Sequence, residues 1–348
     1  MRVLQVDAGR EWRGGQNQVR LLARELTREP DVEVRLLTNR GGPLARRAAD
    51  AGVDVHGVPW AMGLDPRAWW RLRGCVRRFR PEIVHAHDSH ALTLARLVLP
   101  SGAGTVPALV AHRRVDFHVR RGSAWFHADR VIAVSEAVKR ILLADGLPSS
   151  AAVVIPDGID VDEVRAAAAV RLDIRARLGL PAGTPLAVNV AALVDHKDHA
   201  TLVRAAPHSR ALCPALHWVI AGDGERRAAL EGEIRRNAIG DHVHLLGYIP
   251  EADALIREAD VFVMSSKEEG LGSVILHALA LGTPVVATAA GGIPEVLPSE
   301  ALVPVGDATA LSRQVLAALD RPARPALPAR NTVQSMARAT LALYRTLV

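Results

Sequence analysis

Short apolar runs alternate with helical patterns along the whole chain, and this alternation constrains the fold more than any single motif. The runs fall at 3–7, 32–38, 53–58, 83–87, 108–112, 130–135 and 153–156 in the first half. In the second half they fall at 186–193, 216–222, 243–247, 261–265, 285–288 and 302–305. Helical patterns lie between them, as at 16–27 and 135–144. Short runs without polar alternation read as strands buried on both faces. Joined by helical crossovers, they imply parallel sheets covered by helices. Two such series imply two doubly wound α/β domains that bind ligands at the carboxyl ends of their strands. A chain of 348 residues, 49% hydrophobic and 23% charged, has the length and apolar content for two cores.

The seam falls near Pro156-Asp157-Gly158-Ile159-Asp160, which gives one domain over 1–160 and a second over 161–331. A proline-rich stretch at 321–328 precedes a last helix at about 332–348. The formal net charge of +6 is carried almost wholly by arginine, since the only lysines are Lys139, Lys197 and Lys267. That balance suits anionic partners such as nucleotide phosphates or an anionic membrane face, and nucleic acid ranks last because no nucleic-acid motif is present. Cys75 and Cys213 make no disulfide framework and are expected to stay reduced in the cytosol. The first residues enter a strand with no secretory pattern, and no apolar run approaches a membrane span.

The stretch Met264-Ser265-Ser266-Lys267-Glu268-Glu269-Gly270-Leu271-Gly272-Ser273 carries the strongest chemical signal. A buried strand is followed by a glycine turn and then by a helix that ends at Gly282, before Pro284. This layout aims backbone N–H groups at an anion, and glycines let phosphates approach without a Cβ in the way. Glu269 cannot bind phosphate; it suits hydroxyls. Phosphate donors beside a carboxylate suggest a nucleotide-sugar. Lys197, in Asp195-His196-Lys197-Asp198-His199 after another strand, is a compact cation suited to phosphate.

Residues 269–277 resemble the E-x7-E segment of family 4 glycosyltransferases. The first acid falls on Glu269, and His277 stands where the second is expected. The order of motifs along the chain resembles the same family. That resemblance implies a GT-B fold: two Rossmann-like domains facing a cleft, with the last helix, 332–348, returning to the first domain. It implies a retaining, metal-independent transferase of the hexosyltransferase type, which moves a sugar from a nucleoside-diphosphate sugar to an acceptor hydroxyl. No cofactor is expected. Acceptors of the family include lipid carriers, lipopolysaccharide cores and exopolysaccharides. The implied location is the cytoplasm, in peripheral contact with the inner membrane face.

Residue by residue, the resemblance assigns His112 and Glu269 to the reacting sugar. Lys197 and the N–H groups of Gly270, Leu271 and Gly272 face the diphosphate. Gly14 and Gly15 match the family's glycine-rich loop, the backbone around Tyr248 seats the base, and His277 meets the ribose. Family members commonly carry arginine where Ala192 stands. Together with His277, this departure keeps an alternative reading: a catalytically impaired GT-B-shaped subunit that partners another transferase.

Three further features have ordinary explanations. His85, His87 and His90 lack a zinc spacing with a defined fourth ligand, so no metal is expected. Asp160-Val161-Asp162 is a chance D-x-D after the seam. In residues 67–80, Trp69, Leu72, Val76 and Phe79 fall at helical spacing and are expected to face the core. Trp70 and the arginines then form an outer face that suits anionic lipid or simply water.

Overall fold

The computed structural model describes residues 1–60, 65–99 and 107–348. The chain divides into two units, residues 1–159 with 329–348, and residues 160–328. The first contains β1 (Arg2–Asp7), α1 (Gly14–Thr27), β2 (Glu33–Asn39), α2 (Pro43–Asp50), β3 (Asp54–Val58), α3 (Pro66–Phe79), β4 (Ile83–Ala86) and α4 (Ser89–Val98). It continues through β5 (Ala108–Arg113), β6 (Arg130–Ala133), α5 (Glu136–Ala144) and β7 (Ala152–Val154). The second contains α6 (Val161–Ala167), α7 (Ile174–Arg177), β8 (Leu186–Val190), α8 (His199–Leu212), β9 (His217–Ala221), α9 (Arg227–Arg236) and β10 (Val243–Gly247). Its remaining elements are α10 (Ala252–Glu258), β11 (Val261–Met264), α11 (Ser273–Leu281), β12 (Val285–Thr288), β13 (Leu302–Val303) and α12 (Ala308–Asp320). A last helix, α13 (Val333–Arg345), belongs to the first unit.

Every apolar run expected as a strand is one, and every strand pair is parallel. The first sheet has the order β3-β2-β1-β4-β5-β6-β7 and the second β10-β9-β8-β11-β12-β13. Chain order therefore reverses between β1 and β4 in one sheet, and between β8 and β11 in the other. Each reversal splits the following loops apart and opens a crevice at the carboxyl ends of those strands.

Each unit has its own core. In the first, Val3, Leu22, Leu36, Ile83 and Val110 pack with Val333, Met336, Leu341 and Tyr344 of α13. The seam is tied to that helix by backbone bonds: Ile159 N donates to Asn331 O at 3.0 Å, and Val333 N donates to Ile159 O at 2.9 Å. The second core is built on Trp218, Val263, Leu202, Leu311 and Val315, with a smaller group around Val188 and Leu255.

Helix α3 corrects one expectation. Asp65 caps it by accepting from Arg67 N at 2.9 Å. Its buried face is Ala68, Leu72, Cys75 and Phe79, while Trp69 and Val76 lie at the margin. The apolar stripe is thus one residue away from the expected one at its start. A small alanine, rather than the larger tryptophan, occupies the first buried position. Trp70 is 68% exposed, as expected for the outer face. Asp160 caps α6, accepting from Asp162 N and Glu163 N at 3.0 Å each, so its carboxylate has a structural partner on the backbone.

Candidate active site

At the switch point of the second sheet, the loops after β8 and β11 are stitched together. Asn189, buried near the end of β8, donates from Nδ2 to Val263 O at 2.8 Å and accepts from His199 Nε2 at 3.1 Å. Ser265 Oγ donates to Lys197 O at 2.9 Å, and Lys267 N donates to His196 O at 2.8 Å. Lys197 closes the short turn Asp195–Lys197, one residue before Asp198 turns the chain into α8. It therefore precedes α8 and is not part of that helix's first turn.

These bonds set the Lys197 ammonium against the Glu269 carboxylate in a direct ion pair, with both side chains largely buried. Ser266 Oγ also donates to Glu269, at 3.3 Å. The Glu269 peptide is fixed by Gly292 N, which donates to its carbonyl at 3.0 Å. An ammonium has three donors, so a contact with one carboxylate leaves capacity for phosphate oxygens.

After Glu269 the chain turns through Gly270 and Leu271 into α11. The cap of α11 is Gly272, at φ 81° and ψ 53°, in the left-handed region where a side chain is costly. No side chain caps this helix end, and its first turn carries no acid. A helix end of this kind, with its dipole uncompensated by a side chain, attracts negative charge. Across the sheet, a Cβ on Gly222 would lie 1.8 Å from Ala191 O, so the turn after β9 can close on the turn after β8 only with glycine there.

Two other expected residues stand farther out. Tyr248 follows the edge strand β10 and is 67% exposed, on the same pole of the sheet as Lys197. Two strand spacings separate β10 from β8, about 10 Å. His277 lies within α11, and its Nδ1 is 2.7 Å from Asp253 Oδ1 of α10. A carboxylate is therefore present beside position 277 after all, supplied by a different helix. No sequence signal marks Asp253, because its relation to His277 exists only once α10 and α11 pack.

At the switch point of the first sheet, Gly14 and Gly15 form the first turn of α1, again with no side-chain cap. Asp7, at the end of β1, accepts from Gly9 N at 2.8 Å and from Gln16 Nε2 at 3.5 Å. Burial, and next the charge of Asp88, push the Asp7 carboxyl up to about 6. Asp88 itself caps α4 through His90 N and Ala91 N and binds Ala8 N at 2.6 Å.

His112 sits at the end of β5, and its ring is withdrawn from solvent. It belongs to a buried polar network that sequence reasoning did not assemble. Arg114 reaches His112 Nδ1 at 3.1 Å, His87 Nδ1 at 3.3 Å and Asp157 Oδ1 at 3.1 Å. Tyr344 of α13 meets His85 Nδ1 at 2.5 Å and accepts from Gln5 Nε2 at 3.3 Å. Burial first, and then Arg114 and neighbouring rings, hold the three histidines well below the usual imidazole range. Each ring places a nitrogen within 4.8 Å of the others.

Two doubly wound parallel-sheet units, one with a cation and an uncapped helix end at its switch point, have the architecture of the GT-B class. Residues 12–163 match the family model described as glycosyltransferase family 4, and residues 170–338 the one described as glycosyl transferases group 1. The chain is 30% identical over 295 residues to a GDP-mannose-dependent alpha-mannosyltransferase of Mycobacterium tuberculosis, covering 78% of this chain and 74% of that one. It therefore belongs to the family 4 glycosyltransferases.

A lipopolysaccharide core biosynthesis glycosyltransferase of Rhizobium meliloti, LpsE, is 33% identical over 40% of this chain and 41% of that protein. With three of the relatives it matches, the chain spans only 41–61% of their length. Among solved structures, Anabaena HepE in complex with UDP and glucose superposes with a TM-score of 0.80 at 18% identity, over 100% of both chains. That likeness concerns the fold.

Proposed function

We propose that this chain transfers a sugar from a nucleoside-diphosphate sugar to an acceptor hydroxyl, with retention of configuration and without a metal ion. The observation that carries the reading is the convergence of Lys197, Glu269 and the uncapped start of α11 on one switch point. Negative charge grows on the diphosphate as the glycosidic bond breaks. Lys197 and the N–H groups of the Gly270–Gly272 turn stabilise it, in a largely buried setting where such contacts are strongest. Glu269 holds sugar hydroxyls. The base lies along the Tyr248 side of the sheet, and His112 aligns the reacting sugar.

The relatives named for mannosyl transfer and lipopolysaccharide core synthesis support a cell-envelope glycan or glycolipid acceptor. The outer face of α3 supports delivery from an anionic membrane: Trp70 stands exposed among Arg67, Arg71, Arg73 and Arg78.

The test is calorimetric binding of UDP, GDP, ADP and their sugar conjugates to wild type and Lys197→Ala. Saturable binding that the substitution weakens by roughly ten- to hundredfold supports the reading, since a charge-assisted contact is removed. If no nucleotide binds, the donor site is disabled and the non-catalytic subunit reading replaces this one. Ala192 and the Asp253-engaged His277 are the observations that favour that second reading.

A further inference from the structure

The three buried histidines have the spacing of a metal site, yet their hydrogen bonds do not leave the lone pairs that a metal needs. A guanidinium has donors and no acceptor. Arg114 therefore donates to Nδ1 of His87 and to Nδ1 of His112, and both nitrogens use their lone pairs in accepting. Burial and the Arg114 charge keep the rings neutral, so each carries its single proton on Nε2.

The same logic runs through the rest of the cluster. His87 Nε2–H donates to Gln5 Oε1, which turns the Gln5 amide group toward Tyr344. Tyr344 Oη accepts from that amide and donates its own proton to His85 Nδ1. His85, too, is left with its proton on Nε2. Among the described residues, neither His85 Nε2 nor His112 Nε2 has a hydrogen-bond partner, and the Asp157 oxygen nearest to His112 Nε2 is 4.0 Å away.

We propose that Arg114 is a positioning residue for His112. By donating to two imidazoles at once, it fixes both as Nε2–H tautomers, so His112 can only donate a hydrogen bond to an oxygen. It cannot take a proton as a base, and the cluster cannot hold a transition metal. The catalytic consequence rests on the reading above, in which His112 aligns the sugar; the tautomer assignment does not.

The experiment is long-range proton–nitrogen NMR on the full chain labelled with 15N-histidine, at neutral pH, with and without zinc chloride. In wild type, His85, His87 and His112 are expected as Nε2–H tautomers whose signals zinc does not move. In Arg114→Met, His112 should populate the Nδ1–H form, and zinc should perturb the cluster with an affinity raised at least roughly tenfold. Arg114→Lys, which keeps a donor, should retain the Nε2–H form of at least one of the pair.

An Nδ1–H tautomer at His112 in wild type, or zinc binding to the wild-type cluster, overturns the proposal. Those wild-type spectra decide it even if the methionine variant does not fold. Nucleotide binding is measured on the same samples, so a failed donor site shows separately from a wrong tautomer.

Discussion

His277 and Asp253 show how one residue changes its meaning with its neighbour. The resemblance to the family expects an acid at position 277, which makes His277→Glu look like a repair. In the fold it would set a second carboxylate against Asp253, now 2.7 Å from the imidazole. Like charges at that range repel in a partly buried site. The single variant should lose about 1–2 kcal/mol of stability and gain no nucleotide affinity. His277→Glu with Asp253→Asn should recover most of the loss. Thermal unfolding of the four proteins in the cycle measures the coupling, and additive losses would show that the pair does not interact.

Asp7 offers a test by pH. Its carboxyl titrates near 6 in the folded chain, above the ordinary 3.8, because it is buried beside Asp88. Folding thus favours the protonated form. The stabilisation is complete below pH 3.8 and disappears as pH rises through about 6. Above that, wild type carries the cost of a buried charge. Asp7→Asn removes this dependence, so the variant should gain on wild type as pH rises across that window, by about 3 kcal/mol. The depressed histidines act in the opposite sense, losing stability as pH falls below their ordinary 6.5. The difference between wild type and variant cancels them. A flat difference in urea midpoints would refute the assignment.

At the scale of elements, the strands were legible because a parallel strand covered on both faces must be a short apolar run, and each such run is one. The boundary of α3 and its arginine-rich outer face were legible too. The buried stripe was not, since hydrophobicity ranks Trp69 above Ala68 while packing against neighbouring elements selects the smaller side chain. Of the candidate site, Lys197, Glu269 and the Gly270–Gly272 turn were readable from local sequence and were brought together by β8 and β11. Asp157, Gln5, Asp253 and Tyr344 were not, because each acts through a partner distant in sequence; Arg114 stands two residues from His112, but its role emerges only when His87 and Asp157 are brought beside it. The exposed face of α3 yields a prediction at this scale. Replacing Trp70, Arg71 and Arg78 with alanine should leave the melting temperature unchanged, as these side chains are exposed. It should also reduce flotation with anionic vesicles, and equal flotation of wild type and variant would remove the membrane contact.

For the whole molecule, the order of the chain and its division into units are at odds. The first unit is closed by α13, which the chain reaches only after the entire second unit. Val333, Met336, Leu341 and Tyr344 are all buried in the first core, each contributing about 1.5–3 kcal/mol. The Tyr344 hydroxyl also serves His85 and Gln5. Residues 1–159 alone lose all of this and expose the apolar floor beneath α13. That fragment should therefore fail to fold. Residues 160–328 are continuous, with a core complete in themselves, and should fold and retain whatever nucleotide binding the full chain shows. Joining residue 159 to residue 329 through a short flexible linker should rescue the first fragment, since Ile159 already bonds to Asn331 and Val333. Circular dichroism and cooperative melting of the three proteins give the answer. A well-folded 1–159 fragment would show that α13 is an accessory to the first unit and not part of its core, and the link from Tyr344 to the histidine cluster would then be dispensable for folding.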